Sequence, residues 1–219
     1  MSSNAVREVV RWCGVAFLAA LTACASAQDH VTRFAHPSPT LTDFTVCQGY
    51  GCRIQKRIRM EQFVWDEVAR IFTPVPQTAA EERDRLGLAI AFLELKIGAA
   101  IGASTDRAAA ETFNTGPDQL DCIDETVNTT TYLRLLAQYG LMRWHRIGTP
   151  NQRGWLLASL FGSTDFITNT AVIVEKQSGA EFAIDSYFYS NGRPPKIMPL
   201  AEWRKNWRPL LDDPLLQPL

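Results

Sequence analysis

The sequence has nearly equal numbers of acidic and basic residues, and the apolar run near its start is short. Its 219 residues include 22 Lys+Arg and 23 Asp+Glu, a formal net charge of -1. Without a basic surplus there is no electrostatic signature of nucleic-acid binding, so nucleic acid is excluded as a partner. The apolar run Cys13–Leu21 is too short to cross a lipid bilayer. The whole sequence is 46% hydrophobic, which fits one globular domain.

The short apolar run is typical of an export signal. Arg7 and Arg11 precede it, so residues 1–27 are interpreted as a signal peptide and excluded from the fold. Leu21-Thr-Ala-Cys24 resembles a bacterial lipobox, in which cleavage precedes Cys24 and that cysteine receives the lipid anchor. The alternative is cleavage after Ala25-Ser-Ala27, which yields a soluble secreted protein. We therefore expect a bacterial cell-envelope protein, either a membrane-anchored lipoprotein or periplasmic.

Few cysteines remain once the signal is set aside. Of five, Cys13 lies in the signal and Cys24 is lipidated or removed. Export to an oxidising compartment permits a disulfide, and two glycines between Cys47 and Cys52 allow a short loop to close. A metal site is the competing use of this pair, but no further ligands follow at suitable spacing. The sequence predicts a Cys47–Cys52 disulfide, an unpaired Cys122 and no metal.

The chain divides into a linker, a domain and a tail. Residues 28–43 contain Pro37 and Pro39 and show no periodicity, so they are predicted to form an extended linker. The domain is predicted at residues 44–209. Residues 210–219 are interpreted as a loose C-terminal tail.

Helical patterns precede strand patterns within the domain. An amphipathic helix is predicted between Met60 and Phe72, and a long helix follows the capping-box pattern of Thr78 and Glu81. Beyond Gly140 the pattern changes to strand-like runs, for which an antiparallel sheet is the simplest arrangement. The predicted fold class is α+β, with N-terminal helices packed on an antiparallel sheet. The strand-like runs are Leu141–Ile147, Ile167–Lys176 and Glu181–Tyr189.

One predicted helix, Gln119–Tyr139, carries the candidate chemistry. Asp121 is suited to cap its start and Cys122 falls in its first turn. The positive end of a helix dipole lowers the pKa of a nearby thiol and favours the nucleophilic thiolate. Gln119 either donates a hydrogen bond to an oxyanion or satisfies the turn before the helix. Cys122 is therefore a candidate nucleophile, and the alternative is a buried small apolar residue.

This layout resembles the transglutaminase-like (papain-like) cysteine peptidases. Leu120-Asp-Cys-Ile-Asp124 resembles their nucleophile motif, and Thr170-Ala-Val-Ile-Val174 resembles the strand that brings the histidine. Ala183-Ile-Asp185-Ser resembles the strand that brings the orienting aspartate. The resemblance implies a transglutaminase-like fold with Cys122 as nucleophile and Asp185 as the residue that orients the base.

The histidine of that family pattern is missing. At the start of the second strand the chain has Thr168-Asn-Thr170, where Thr168 and Thr170 share one face. Either threonine is a candidate for the vacated position, and Asn169 is expected to face the other way. His145, on the strand after the nucleophile helix, is the candidate substitute base; its alternative is a sheet residue near the surface. Threonine cannot supply general acid–base assistance, which typically contributes about 10²–10⁴-fold.

Two functions follow from these residues. Loss of the histidine favours a degenerate relative that binds an envelope peptide or protein without cleaving it. The alternative is an active cysteine-dependent hydrolase or acyl transferase acting on amide bonds of envelope peptides. Neither function requires a cofactor. Contact with the membrane is expected through the N-terminal lipid anchor.

Overall fold

A computed structural model describes residues 26–109, 116–154, 166–210 and 212–216. The predicted signal peptide, with the lipobox residue Cys24, lies outside these residues except for Ser26 and Ala27. Within the described ranges, no helix has both the length and the apolar character that crossing a membrane requires.

The described residues form helices at the N-terminal side and most strands at the C-terminal side. The helices are α1 (Ala27–Phe34), α2 (Gln62–Ile71), α3 (Ala79–Ile101), α4 (Cys122–Gln138) and α5 (Leu200–Trp203). The strands are β1 (Phe44–Gln48), β2 (Ile54–Ile58), β3 (His145–Ile147), β4 (Asn151–Arg153), β5 (Thr168–Glu175), β6 (Glu181–Asp185) and β7 (Lys196–Pro199). A short 3₁₀ turn spans Pro214–Leu216.

The strands form two antiparallel sheets. β1 and β2 make a hairpin with Phe44 opposite Ile58. The larger sheet has the order β3-β5-β6-β7, and β4 pairs with the first residues of β5 while β3 pairs with its last. All of these pairings are antiparallel. The fold is α+β with antiparallel sheets, which confirms the predicted fold class.

The two long helices begin at residues suited to that position. Thr78 caps α3, because its side chain accepts a hydrogen bond from the N–H of Glu81 at 3.1 Å. Asp121 caps α4 by accepting from two backbone N–H groups, and Asp124 reciprocates to the N–H of Asp121. Both helix starts therefore follow from local hydrogen bonding, as the sequence predicted.

α4 packs against both sheets and lies at the centre of the core. β5 is buried on both faces, so alternate residues of β5 and β6 face α4 or the opposite side. On the α4 side, the sheet joins the main core; on the other side, it meets α5. The residues facing α4 include Ala171, Ile173 and Ile184, and the residues on the opposite face include Val172, Ala183 and Met198, which cluster with Leu200 and Trp203.

Residues 28–43 are not the extended linker that the sequence predicted. α1 begins at the N-cap Ser26 and its apolar side packs on the domain. Val31 and Ala35 are buried in a cluster with Val127 of α4. A helix this short has almost no periodicity to detect, and burial against α4 stabilises it more than its own propensity does. Within the described residues, α1 is therefore part of the folded domain.

Candidate functional site

A disulfide between Cys47 and Cys52 closes the loop that joins β1 to β2. The residues from Gly49 to Cys52 all have positive φ, a conformation that glycine adopts freely. Among the described residues, Cys47, Cys52 and Asp124 are the one group close enough to share a metal ion. Because the two sulfur atoms are bonded to each other, they are not thiolate ligands. The disulfide therefore cross-links the two ends of the hairpin loop.

The same loop holds the two carboxylates at the start of α4. Asp124 accepts hydrogen bonds from the N–H of Tyr50 at 2.8 Å and of Cys52 at 2.7 Å. Asp121 accepts one from the N–H of Gly51 at 2.9 Å. Successive N–H groups on one side of a loop form a concave anion site. The loop and the start of α4 therefore fix each other's position.

The sulfur of Cys122 lies against the first residues of β5. Asn169 Nδ2 donates to Sγ at 3.6 Å, and the thiol donates to the carbonyl oxygen of Ile167 at 3.8 Å. Cys122 is not disulfide-bonded, and the residue as a whole is intermediate in exposure. In the described part of the chain, none of the three histidines hydrogen-bonds this sulfur. The side chain beside the thiol is an amide.

Asn169 occupies the place that the sequence assigned to a neighbouring threonine. Thr168 and Thr170 lie on the face of β5 that carries Val172, away from α4. The prediction that Asn169 faces away from the sulfur was wrong. The period of two residues was correct, but packing of Ala171 on α4 turns the odd-numbered side chains toward the sulfur.

The thiol of Cys122 is held in its protonated form. Enclosure by surrounding atoms raises its pKa to about 12, and the negative charge of Asp121 adds to the shift. The hydrogen bond from Asn169 opposes this shift only in part. The sequence predicted a lowered pKa from the helix dipole, but the cap Asp121 offsets the positive potential at that end. Near neutral pH the nucleophilic thiolate is scarce.

Asp185 lies on the opposite face of the sheet from the sulfur. It follows Ala183 by two residues on β6, and its Oδ2 accepts a hydrogen bond from Trp203 Nε1 at 2.5 Å. The guanidinium of Arg153 lies over the same indole ring at 4.3 Å. Burial raises the pKa of Asp185 to about 6, and the Trp203 bond and the Arg153 charge oppose this rise. The carboxylate joins β6 to α5 and does not orient a histidine in the described residues.

His145 is buried at the other end of β5, with 1% of its surface exposed. It pairs with Glu175, six residues beyond Asn169, which is about 20 Å along a strand. Its Nδ1 lies 2.9 Å from Glu82 Oε1, and its Nε2 lies 3.2 Å from Arg83 Nη1. A guanidinium only donates, so Nε2 accepts and Nδ1 donates to Glu82. The imidazole is neither near the surface nor within reach of the thiol.

Gln119 is buried and its side-chain amide is already bonded. Nε2 donates to the carbonyl oxygen of Thr105 at 2.9 Å and to Asp118 at 3.2 Å. Oε1 accepts from the N–H of Arg107 at 3.2 Å. Of the two alternatives for Gln119, the structure shows the bonding of the turn before α4. Its amide is not directed at the sulfur.

A group of buried carboxyl groups behind Cys122 was not predicted from the sequence. Glu94 of α3 accepts a hydrogen bond from Ser186 at 2.8 Å. Glu125 of α4 has a buried Oε2 with no hydrogen-bond partner among the described residues. Both line a cavity with room for about one water molecule. With Asp106 nearby, neither forms a salt bridge in the described ranges.

These carboxyl groups favour their neutral forms. Burial raises the pKa of Glu94 to about 8 and that of Asp106 to about 7. Burial also raises the pKa of Glu125, and the charges of Glu94 and Asp106 add to it. One signal for this group was present in the sequence. Glu94 follows Ile90 by four residues and so falls on the core-facing stripe of α3, where a carboxylate is unexpected.

No protein-family model, curated protein or solved structure matches the chain. The chemistry of the site therefore rests on its own geometry. Hydrolysis of an amide by a thiol needs a base for the thiol and an acid for the leaving group. Within the described residues, the hydrogen-bond partners of the sulfur are an amide and a backbone carbonyl. This arrangement does not supply those proton transfers, but it is compatible with binding a ligand.

Proposed function

We propose that the chain is an exported envelope protein on a transglutaminase-like scaffold, which binds a peptide or protein without cleaving it. The observation that carries the proposal is the 3.6 Å contact between Cys122 Sγ and Asn169 Nδ2. An amide donates a hydrogen bond but does not take up a proton near neutral pH, so it does not replace an imidazole. The raised pKa of the thiol, about 12, supports the same conclusion.

The arrangement around α4 supports the transglutaminase-like part of the proposal. A cysteine begins the helix, the helix packs on an antiparallel sheet, and Asn169 stands beside the sulfur on β5. The resemblance assigns a histidine to that strand. Asp185 departs from the pattern, because it lies on the opposite sheet face. The scaffold is therefore proposed from the cysteine helix and the sheet, without a role for this carboxylate in the site.

The surface beside the sulfur supports binding. We define the Cys122 surface as Cys122, Ile123, Phe166 and Ile167. Phe166 is 42% exposed, and Ile123 and Ile167 are partly exposed. Exposed apolar side chains that lie together are typical of a surface that contacts another protein or a peptide. A bound peptide would contact these side chains and leave the thiol unreacted.

Lipid attachment is proposed from Leu21-Thr-Ala-Cys24, and α1 supports it over the alternative cleavage. Ser26 and Asp29 exchange hydrogen bonds in a capping box at the start of α1. Cleavage after Ala27 would remove Ser26 and the first helical residue. Cleavage before Cys24 retains the whole helix and its cap.

The alternative function is a cysteine-dependent hydrolase or acyl transferase on envelope amide bonds. The unpaired state of Cys122 and its place at a helix start favour it. This function requires a base at the sulfur, and the described residues place none there.

The two functions are separated by testing one library of synthetic peptides for binding and, as fluorogenic amides, for cleavage. We expect the wild type and Cys122→Ala to bind the same peptides and to release no fluorophore above background. Ile123→Arg and Phe166→Arg should weaken binding by about tenfold or more, roughly 1.4 kcal/mol, because each places a charge on an apolar contact. Phe63→Arg, at a phenylalanine of α2 that is 67% exposed, is the matched control and should bind normally.

Cleavage by the wild type that Cys122→Ala abolishes would overturn the binding proposal in favour of the alternative. Absence of peptide binding by the wild type, or unchanged binding by both arginine variants, would also contradict it.

A further inference from the structure

The chain has little free length between the lipobox and the folded domain. Cys24 precedes Ser26, the N-cap of α1, by two residues. Two residues span at most about 7 Å, which is less than the Debye length of about 8 Å at physiological ionic strength. With the proposed lipid anchor on Cys24, α1 begins at the level of the lipid headgroups.

Three arginines lie on or beside β2, the strand that contacts the end of α1. Gln55 Nε2 donates to the carbonyl oxygen of Phe34, the last residue of α1, at 3.2 Å. Alternate residues of a strand share a face, so Arg57 lies on the same side of β2 as Gln55, while Arg53 and Arg59 flank the two ends of the strand. All three arginines are exposed. The positive charges therefore lie next to the element that follows the anchor.

This part of the chain has a surplus of positive charge. Asp43 pairs with Arg57 at 2.6 Å, which neutralises one arginine. Residues 26–61 nevertheless contain five Lys+Arg against three Asp+Glu, in a chain whose formal net charge is -1. Arg33 of α1 is also exposed. We define the α1–β2 face by Arg33, Arg53, Arg57 and Arg59.

We infer that the α1–β2 face lies on the anionic phospholipid headgroups of the membrane that holds the anchor. The inference rests on the proposed lipid attachment and adds an orientation to it. Basic residues near an anionic membrane surface are attracted to it, and the attraction falls off within a Debye length. The short connection to Cys24 keeps the start of α1 within that range, and with α1 lying along the membrane surface Arg33 and the neighbouring strand come within it as well. The lipid chain and the basic face then act together as two membrane signals.

The test uses the lipidated full-length protein recovered from membranes and inserted into vesicles. Hydrogen exchange is measured for β1 and β2 in phosphatidylcholine vesicles and in vesicles with equal parts phosphatidylcholine and phosphatidylglycerol. We expect exchange in β2 to slow about threefold or more in the anionic vesicles at low salt, because the lipid covers the edge of this strand that pairs with no other strand among the described residues. At high salt the difference should disappear.

Charge reversal separates attraction from simple proximity. Arg53→Glu with Arg59→Glu should abolish the difference between the two kinds of vesicle. Lys96→Glu with Lys196→Glu reverses two exposed charges on α3 and β7 and should leave the difference intact. Thermal unfolding of all variants checks that the fold is unchanged, which the exposure of these side chains leads us to expect.

Equal exchange in neutral and anionic vesicles, or loss of the difference in the α3 and β7 control, would overturn the orientation. Failure of the anchor is detected separately, because metabolic labelling with palmitate would then give a chain without lipid. A labelled chain with equal exchange contradicts the inference alone.

Discussion

The two ends of β5 carry buried polar groups that differ in how their charges are balanced. At the end that pairs with β3, Glu82 accepts from His145 Nδ1 and from the backbone N–H groups of residues 143–145. Arg83 contacts both His145 and Glu175. Burial alone would raise the pKa of Glu82, but these hydrogen bonds outweigh burial and hold that pKa below its usual value. Charged groups of both signs meet at this end.

At the other end, buried carboxyl groups lie close together and form no salt bridge in the described residues. Glu94, Asp106 and Glu125 lie behind the start of α4, and burial raises the pKa of each. The negative charges of Asp121 and Asp185 work against ionisation of Cys122. The imidazole that would favour a thiolate is buried about 20 Å away. The comparison shows that charges of both signs meet at the end of β5 where the histidine lies, and not at the end where Cys122 begins α4.

The largest effect is expected from removing the acceptor at the balanced end. Glu82→Ala leaves His145 and three backbone N–H groups without their partner in a buried site. We expect the free energy of unfolding to fall by about 3–5 kcal/mol, as measured by denaturant unfolding. Glu81→Ala changes the exposed neighbour on α3 and should cost less than about 1 kcal/mol. Equal losses in the two variants would show that the comparison is wrong.

A change of pH is expected to have a smaller effect on the free energy of unfolding. The groups at the two ends of β5 contribute to it with opposite signs. The pKa values of Glu94 and Asp106 are raised to about 8 and about 7, so the folded state binds more protons than the unfolded state between about pH 5 and 8. The free energy of unfolding should fall on the order of 2 kcal/mol as pH rises through that window. Glu82 contributes the reverse, because its lowered pKa gives stability that is lost as pH falls through its folded pKa.

Chemical denaturation at several pH values measures this slope. Glu94→Gln retains the shape of the side chain and its bond to Ser186 but removes the titrating group, so the slope should flatten. Asp84→Asn, an exposed carboxylate of α3, is the control and should keep the wild-type slope. A slope of the opposite sign in the wild type would mean that these carboxyl groups are charged in the folded protein.

The smallest effect is expected from placing an imidazole beside Cys122. This substitution tests whether one basic group at this end of β5 lowers the pKa of the thiol. Asn169→His places an imidazole at a position 3.6 Å from the sulfur and should lower the thiol pKa by about one unit. Iodoacetamide labelling of Cys122 near neutral pH should accelerate by about tenfold, roughly 1.4 kcal/mol. Thr168→His puts the same group on the opposite face of β5 and should label at the wild-type rate. Acceleration by Thr168→His alone would contradict the assignment of faces.

Local hydrogen bonding and spacing were sufficient to predict the helices that begin at Thr78 and Asp121. The strand pattern after Gly140 likewise predicted an antiparallel sheet. The site was harder, because its residues lie far apart in sequence. Glu82 and His145 are 63 positions apart, and nothing in either local pattern indicates that they meet.

The assignment of β5 residues to the two faces of the sheet was the second source of error. Alternation in β5 predicted that Thr168 and Thr170 share a face and that Asn169 lies on the other. Which face meets the sulfur depends on how β5 packs against α4, and Asn169 lies on that face. α1 was missed for a related reason, since burial of Val31 against Val127 stabilises it.

The order of helices and strands, the helix caps and the position of a cysteine at the start of α4 follow from neighbouring residues alone. Local interactions determine these features because each involves backbone groups within a few positions. The raised pKa of the thiol, the amide beside it and the burial of His145 with Glu82 come from tertiary packing. Solvent exclusion and charge proximity depend on which distant segments meet, and the sequence pattern does not contain that information.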